Sequence, residues 1–173
     1  TAQLLGNQTD ATQFQSSITT TTSAYNAKFL TSAGSYDRNS QTANAMPLAL
    51  GLVPANQQAA VLSSLVGAVT AAKNQVTAGD IGFAYVIRAL SQAGRGDVIY
   101  SMLKQSTGPG YLYQISQGAT SLTEAWNANP ADSQNHAMLG HAEEWLYNGL
   151  GGINPDPSGP GFKKFFIHPQ PQT

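Results

Sequence analysis

An all-α fold of antiparallel helical hairpins is what this chain predicts, on three observations. Apolar residues recur at helical spacing in five or six successive segments. The segments are joined by connections of a few residues, as antiparallel neighbours require. Only one stretch, Lys163-Lys-Phe-Phe-Ile-His168 near the C-terminus, alternates as a strand does.

The first helix is expected over residues 10–30, with Phe14, Ile18, Tyr25 and Phe29 on one stripe. Thr19 to Thr22 include three threonines after Thr19, and β-branched residues each cost a few tenths of a kcal/mol against alanine, so packing should hold this segment helical. A connector around Gly34 follows, after which Asn39 or Ser40 can cap a second helix through Leu52 that contains Pro47 and should kink there. Pro54 closes that unit. A third helix opens at Asn56 and buries Val61, Leu62, Leu65, Val66 and Val69. Asp80 is the expected cap of a fourth, which runs through Tyr85 and Leu90 to a left-handed stop at Gly94. Asp97 starts a fifth, carrying Ile99, Met102 and Leu103. Residues 106–118, rich in glycine, read as a surface loop. Asp132 or Ser133 then caps a last long helix, with Met138, Leu139, Ala142, Trp145 and Leu146 at helical spacing until Gly149 to Gly152 break it. The strand at 163–168 has no sheet to join and is expected to be the stub of a neighbouring domain. Two regions follow: a partial helical domain at 1–152, and a linker plus first strand at 153–173.

The chain of 173 residues has no cysteine, a net charge of −1 and only 10% charged residues, where globular proteins usually carry about a quarter. Nothing here offers an electrostatic footprint for nucleic acid or an anionic membrane surface. A neutral ligand such as a sugar fits better. No apolar run reaches the eighteen or more residues of a membrane span. Asn7-Gln8-Thr9 is a glycosylation sequon, and a chain opening on Thr1 implies processing or truncation. The compartment stays open, with a secreted or periplasmic location preferred.

Acid groups are scarce, which narrows the search for proton-transfer chemistry. Glu124 stands apart from the other two glutamates, Glu143 and Glu144, which adjoin each other. Trp126 and His136 lie close to it in sequence. Each has a bland alternative: Glu124 as a solvated side chain or helix-start charge, Trp126 as a core anchor, His136 as a backbone cap, and Asp80 as a helix cap. Glu143 and Glu144 more simply flank a packed Trp145. His136, His141 and Glu143 suggest a metal, but helical residues five apart diverge by about 140° and cannot converge on one ion. No metal and no cofactor are expected, and no nucleophile elbow or phosphate loop occurs.

The motifs Gly118-Ala-Thr-Ser-Leu-Thr-Glu-Ala-Trp126, Ser133-Gln-Asn-His136 and Glu144-Trp-Leu-Tyr147 give the chain a resemblance to the catalytic domain of bacterial and fungal α-L-rhamnosidases, glycosidases built as an (α/α)6 toroid of six hairpins. The likeness extends from Ser40-Gln-Thr-Ala-Asn-Ala-Met-Pro through Thr77-Ala-Gly-Asp-Ile-Gly82 and Ala89-Leu-Ser-Gln-Ala-Gly-Arg95 to Pro160-Gly-Phe162. It implies hydrolysis of terminal α-L-rhamnosides with inversion, by an acid and a base set roughly 6.5–9.5 Å apart with water between. Glu124 matches the family's base, Trp126 an apolar wall for the sugar, and His136 a histidine that bonds sugar hydroxyls. Asn135 and Asp80 are further candidates for substrate contact. Thr123 stands where many members carry tryptophan, and Ala125 where arginine is common.

The same resemblance places the general acid upstream of Thr1, so the segment is expected to carry the base alone and to be inactive in isolation. A complementary half of the toroid or a self-dimer should then cover its apolar flank. Two further readings remain: a non-catalytic carbohydrate-binding or interaction module derived from this fold, and a toroid polysaccharide lyase, since one architecture hosts several chemistries.

Overall fold

The computed structural model describes residues 1–172. Its helices are α1 (Gln8–Phe29), α2 (Gln41–Ala49), α3 (Gln58–Ala71), α4 (Asp80–Gln92), α5 (Gly96–Leu103), α6 (Tyr111–Ser116) and α7 (Ala142–Trp145). Two short strands, β1 (Ile153–Pro155) and β2 (Phe165–Ile167), complete it. None of the described helices is long and apolar enough to cross a membrane.

Helix α4 is the centre of the packing, because seven of its side chains or glycine positions, from Gly82 to Leu90, are buried. Phe83, Val86, Ile87 and Leu90 meet Leu65 and Val69 of α3, Ile99 and Met102 of α5, and Trp145 of α7. Each such large apolar side chain contributes about 1.5–3 kcal/mol when fully buried. Close approach of α2 to α4 depends on Gly82, where a Cβ would overlap the Thr42 side chain. Ser40 caps α2 as expected, its hydroxyl oxygen accepting from the Ala43 N–H at 3.1 Å. Pro47 lies inside α2, which ends two residues later at Ala49 rather than at Leu52. Gly94, at φ +68°, stops α4 as its lack of a Cβ allows.

Several expectations are corrected. α1 buries no residue, and Phe14 and Ile18 on its stripe are 60% and 56% exposed. Packing holds only its C-terminal end, where Tyr25 and Phe29 lie against Tyr36, Val53 and Val61. Upstream, helical hydrogen bonding proceeds without it: the Thr12 and Thr19 hydroxyls donate to the carbonyls four residues back. The cap of α4 is Gly79, and Asp80 is the first helical residue. The loop at 106–118 contains α6.

The last long helix is broken into a 3-10 turn (Ala137–Leu139), α7 and a π turn (Leu146–Leu150). Tertiary hydrogen bonds intervene there: the His136 N–H donates to Leu122 O at 2.9 Å, and the Leu139 carbonyl accepts from the Tyr111 hydroxyl. Strand β2 is not alone. It pairs antiparallel with β1, Ile153 opposite Ile167 and Pro155 opposite Phe165.

Candidate active site

The site grows from the backbone between α3 and α4. Gln41, 1% exposed, reaches across from α2, donating to Gln75 O at 2.9 Å and accepting from the Thr77 N–H at 3.0 Å. Those bonds fix the approach to α4 and, with it, Ala78 and Asp80. Asp80 spends one carboxylate oxygen on the Ile81 N–H, 2.8 Å away, in the first turn, where negative charge suits the helix dipole. Its other oxygen lies 3.5 Å from Nε2 of His136. That separation is too long for a good hydrogen bond, and Nε2 is buried without a hydrogen-bond partner.

The Glu124 loop lies against the same place. Residues 122–124 run opposite 133–136: Glu124 N–H donates to Ser133 O at 2.9 Å, and His136 N–H to Leu122 O at 2.9 Å. The Glu124 side chain is exposed, with Oε2 accepting from the Ser133 N–H at 3.1 Å. Its other oxygen is free to face solvent or a ligand. Trp126 is half-buried, its ring edge-on to Phe83 at 5.0 Å and Tyr111 at 5.5 Å. Its indole N–H donates to Ala78 O at 2.9 Å. Core anchoring and a sugar-facing wall are thus compatible, because only part of the ring is covered.

The structure therefore links Asp80, Glu124, Trp126 and His136 through one chain of hydrogen bonds and close contacts. Asn135 lies in the same turn, exposed, its N–H donating to Ser133 Oγ at 3.3 Å. Glu143 and Glu144 are elsewhere: they flank the buried Trp145, with Glu144 in a forked pair with Arg88 at 3.1 Å. Among the described residues no three His, Asp or Glu side chains gather as a bound ion would need.

Supporting residues on α6 escape a reading of the sequence. Tyr111 packs on Trp126 and donates to the turn that carries His136. Burial pushes its phenol well above the ordinary tyrosine value, with Glu143 adding to the rise and the Ala142 amide opposing it. Gln114 is 3% exposed and donates to Thr123 Oγ1 at 2.7 Å. The run Tyr111-Leu-Tyr-Gln-Ile115 between glycines was the available signal.

The mostly helical fold is that of a part of the six-hairpin glycosidase domains it matches. The chain matches the family model of the bacterial α-L-rhamnosidase six-hairpin glycosidase domain over residues 1–150 and belongs to that family. It is 32% identical to an α-L-rhamnosidase of Alteromonas sp. (strain LOR), over 98% of this chain and 20% of that protein. A Streptomyces avermitilis α-L-rhamnosidase is 28% identical over 94% of this chain and 16% of its own length.

Solved structures agree. The Dictyoglumus thermophilum α-L-rhamnosidase superposes with a TM-score of 0.89 at 31% identity, over 98% of this chain and 20% of that one. The S. avermitilis enzyme complexed with L-rhamnose gives 0.88 at 28% identity, over 98% and 17%. The chain thus spans about a fifth of the length of the curated relatives it matches.

Proposed function

We propose that this segment is the base-bearing part of an inverting α-L-rhamnosidase acting on terminal α-L-rhamnosides, with Glu124 as the general base. The observation that carries the reading is the state of Glu124: its backbone is pinned to Ser133, one carboxylate oxygen is spent on the Ser133 N–H, and the side chain remains exposed. A base must be oriented and still reach water. Family membership and a relative solved with L-rhamnose support the substrate class.

In this mechanism Glu124 takes a proton from water as the water oxygen bonds to the anomeric carbon from the face opposite the leaving group. The glycosidic C–O bond breaks, and a carboxylic acid gives its proton to the departing oxygen. We assign that acid to a residue outside these 173. That assignment rests on the resemblance, which places the acid upstream of Thr1. Trp126 walls the sugar ring, while His136, Asp80 and Asn135 supply polar contacts to its hydroxyls. Residues 1–152 belong to the toroid, and 153–173 lead into a further β-domain.

The test is Glu124→Gln in the full-length enzyme with an α-L-rhamnoside substrate. Turnover should fall by about 10²–10⁴-fold, with the product released in the inverted configuration. Normal turnover would remove Glu124 from the chemistry. Sugar binding without hydrolysis by the full-length wild type would favour a binding module, and an unsaturated uronic product a lyase.

A further inference from the structure

We propose that Gln114, acting through Thr123, is a positioning residue that holds the Glu124 carboxylate in its working place. The inference rests on the reading of Glu124 as the base, and goes beyond it by naming what sets its position.

Two buried polar side chains meet directly beside the candidate base. Thr123 is 0% exposed and Gln114 3% exposed. Burying either without a partner would be costly; Gln114 finds its partner in Thr123, and the Thr123 hydroxyl has a second one in Ala125. The Gln114 amide N–H donates to Thr123 Oγ1 at 2.7 Å, and the Thr123 hydroxyl donates to the Ala125 carbonyl at 2.8 Å. A hydroxyl has one proton, so its direction is fixed by these partners. The chain runs from Gln114 to Thr123 to Ala125 and brackets residue 124 on both sides.

Glu124 is thereby left little backbone freedom. Its N–H is bound to Ser133 O, its predecessor is anchored to α6, and the carbonyl that follows it is tied back to that predecessor's hydroxyl. Gln114 can serve as the fixed end because α6 is itself held: Tyr113 N–H donates to Gln105 O at 3.0 Å, and Tyr111 lies edge-on to Phe83 and Trp126. Release of this clamp would let an exposed loop carry the carboxylate away from the water it activates. Misplacement by about 1 Å costs on the order of a hundredfold in rate.

The experiment uses the full-length enzyme and an aryl α-L-rhamnoside, whose leaving group needs little acid assistance, so kcat reports the base side. Thr123→Val keeps the shape and removes the hydroxyl; Gln114→Met keeps the length and removes the donor. Each should lower kcat by about ten- to a hundredfold while KM stays within about twofold of wild type, as for an interaction made only in the transition state. Thr123→Ser, which restores the hydroxyl, should recover kcat to within about threefold.

In a Glu124→Gln background, Thr123→Val should bring no further loss, because no base remains to be placed. That non-additivity separates positioning from plain destabilisation, and Gln114→Met gives the same reading should Thr123→Val fold poorly. Unchanged kcat in both single variants, beside an inactive Glu124→Gln enzyme, would overturn the proposal and leave the base assignment standing. Full turnover by Glu124→Gln would overturn the base assignment and the proposal with it.

Discussion

The indole N–H of Trp126 donates to the carbonyl oxygen of Ala78, 2.9 Å away and forty-eight positions upstream. Ala78 is 2% exposed and immediately precedes the cap of α4. One hydrogen bond therefore ties the loop of the candidate base to the helix end that carries Asp80.

Trp126→Phe tests that tie. Phenylalanine keeps an aromatic face toward Phe83 and Tyr111 but leaves the Ala78 carbonyl, buried behind it, without its partner. An orphaned buried acceptor costs about 1–3 kcal/mol. The unfolding midpoint should drop accordingly, by an amount set by the unfolding entropy of the whole domain. A midpoint unchanged within error would mean that the ring packing alone holds the loop.

Tyr111 gives a pH prediction. Its folded phenol is raised above the ordinary value near 10, chiefly by burial. The protonated form is thus favoured by folding. Its contribution is complete below pH 10 and is lost as pH rises beyond the unfolded value toward the folded one. Tyr111→Phe also removes the hydrogen bond to Leu139 O, so near neutral pH it should lower stability by about 1–3 kcal/mol. Above pH 10 the gap between variant and wild type should narrow, because the wild type alone must hold this phenol protonated. Unfolding midpoints measured from pH 8 to 11 would show it; a constant gap would contradict the burial argument.

How much was legible in the sequence varied with the length of the physical signal. The stripe of Val61, Leu65 and Val69 spans enough turns for its period to be unmistakable, and all three are fully buried. The cap of α2 was legible as Asn39 or Ser40, because a side-chain oxygen before an apolar-periodic run has one common use, and the structure uses Ser40. α6 was not, since six residues between glycines are shorter than any window in which a helical period shows. The break after His136 was also hidden. Its cause is non-local: backbone groups of His136 and Leu139 are claimed by Leu122 and Tyr111, and those bonds override the helical spacing from 138 to 146. In the candidate site the residue types were visible in the motif, whereas Gln114 was not, because its role exists only through contact with Thr123.

His136 offers a separation of binding from stability. Among the described residues Nε2 has no hydrogen-bond partner, and Asp80 at 3.5 Å is a poorly placed one. His136→Ala therefore removes little that holds the chain together, while its backbone bond to Leu122 O survives the change. Stability should fall by less than about 1 kcal/mol. If the imidazole meets a sugar hydroxyl in the complex, KM for a rhamnoside in the full-length enzyme should rise about tenfold or more, the equivalent of roughly 1.4 kcal/mol. Equal KM values would place the sugar away from this imidazole.

Gly149 tests the π turn. It is buried against Trp145, where a Cβ would overlap the indole Cδ1 and stand 2.5 Å from Nε1. Trp145 is 3% exposed and belongs to the main core, so moving the ring disturbs its packing there. Gly149→Ala must push the indole toward α4 or open the turn that Gly151 N–H closes on Leu146 O at 2.8 Å. Overpacking of this kind costs about 1–3 kcal/mol, well beyond any gain from replacing a helical glycine, which is roughly 0.5–1 kcal/mol. The variant should unfold at lower urea concentration and show an altered near-ultraviolet tryptophan signal while its helical signal is kept. A variant as stable as wild type would mean that the π turn relaxes to a regular helix at no cost, and that Gly149 is dispensable to the packing of Trp145.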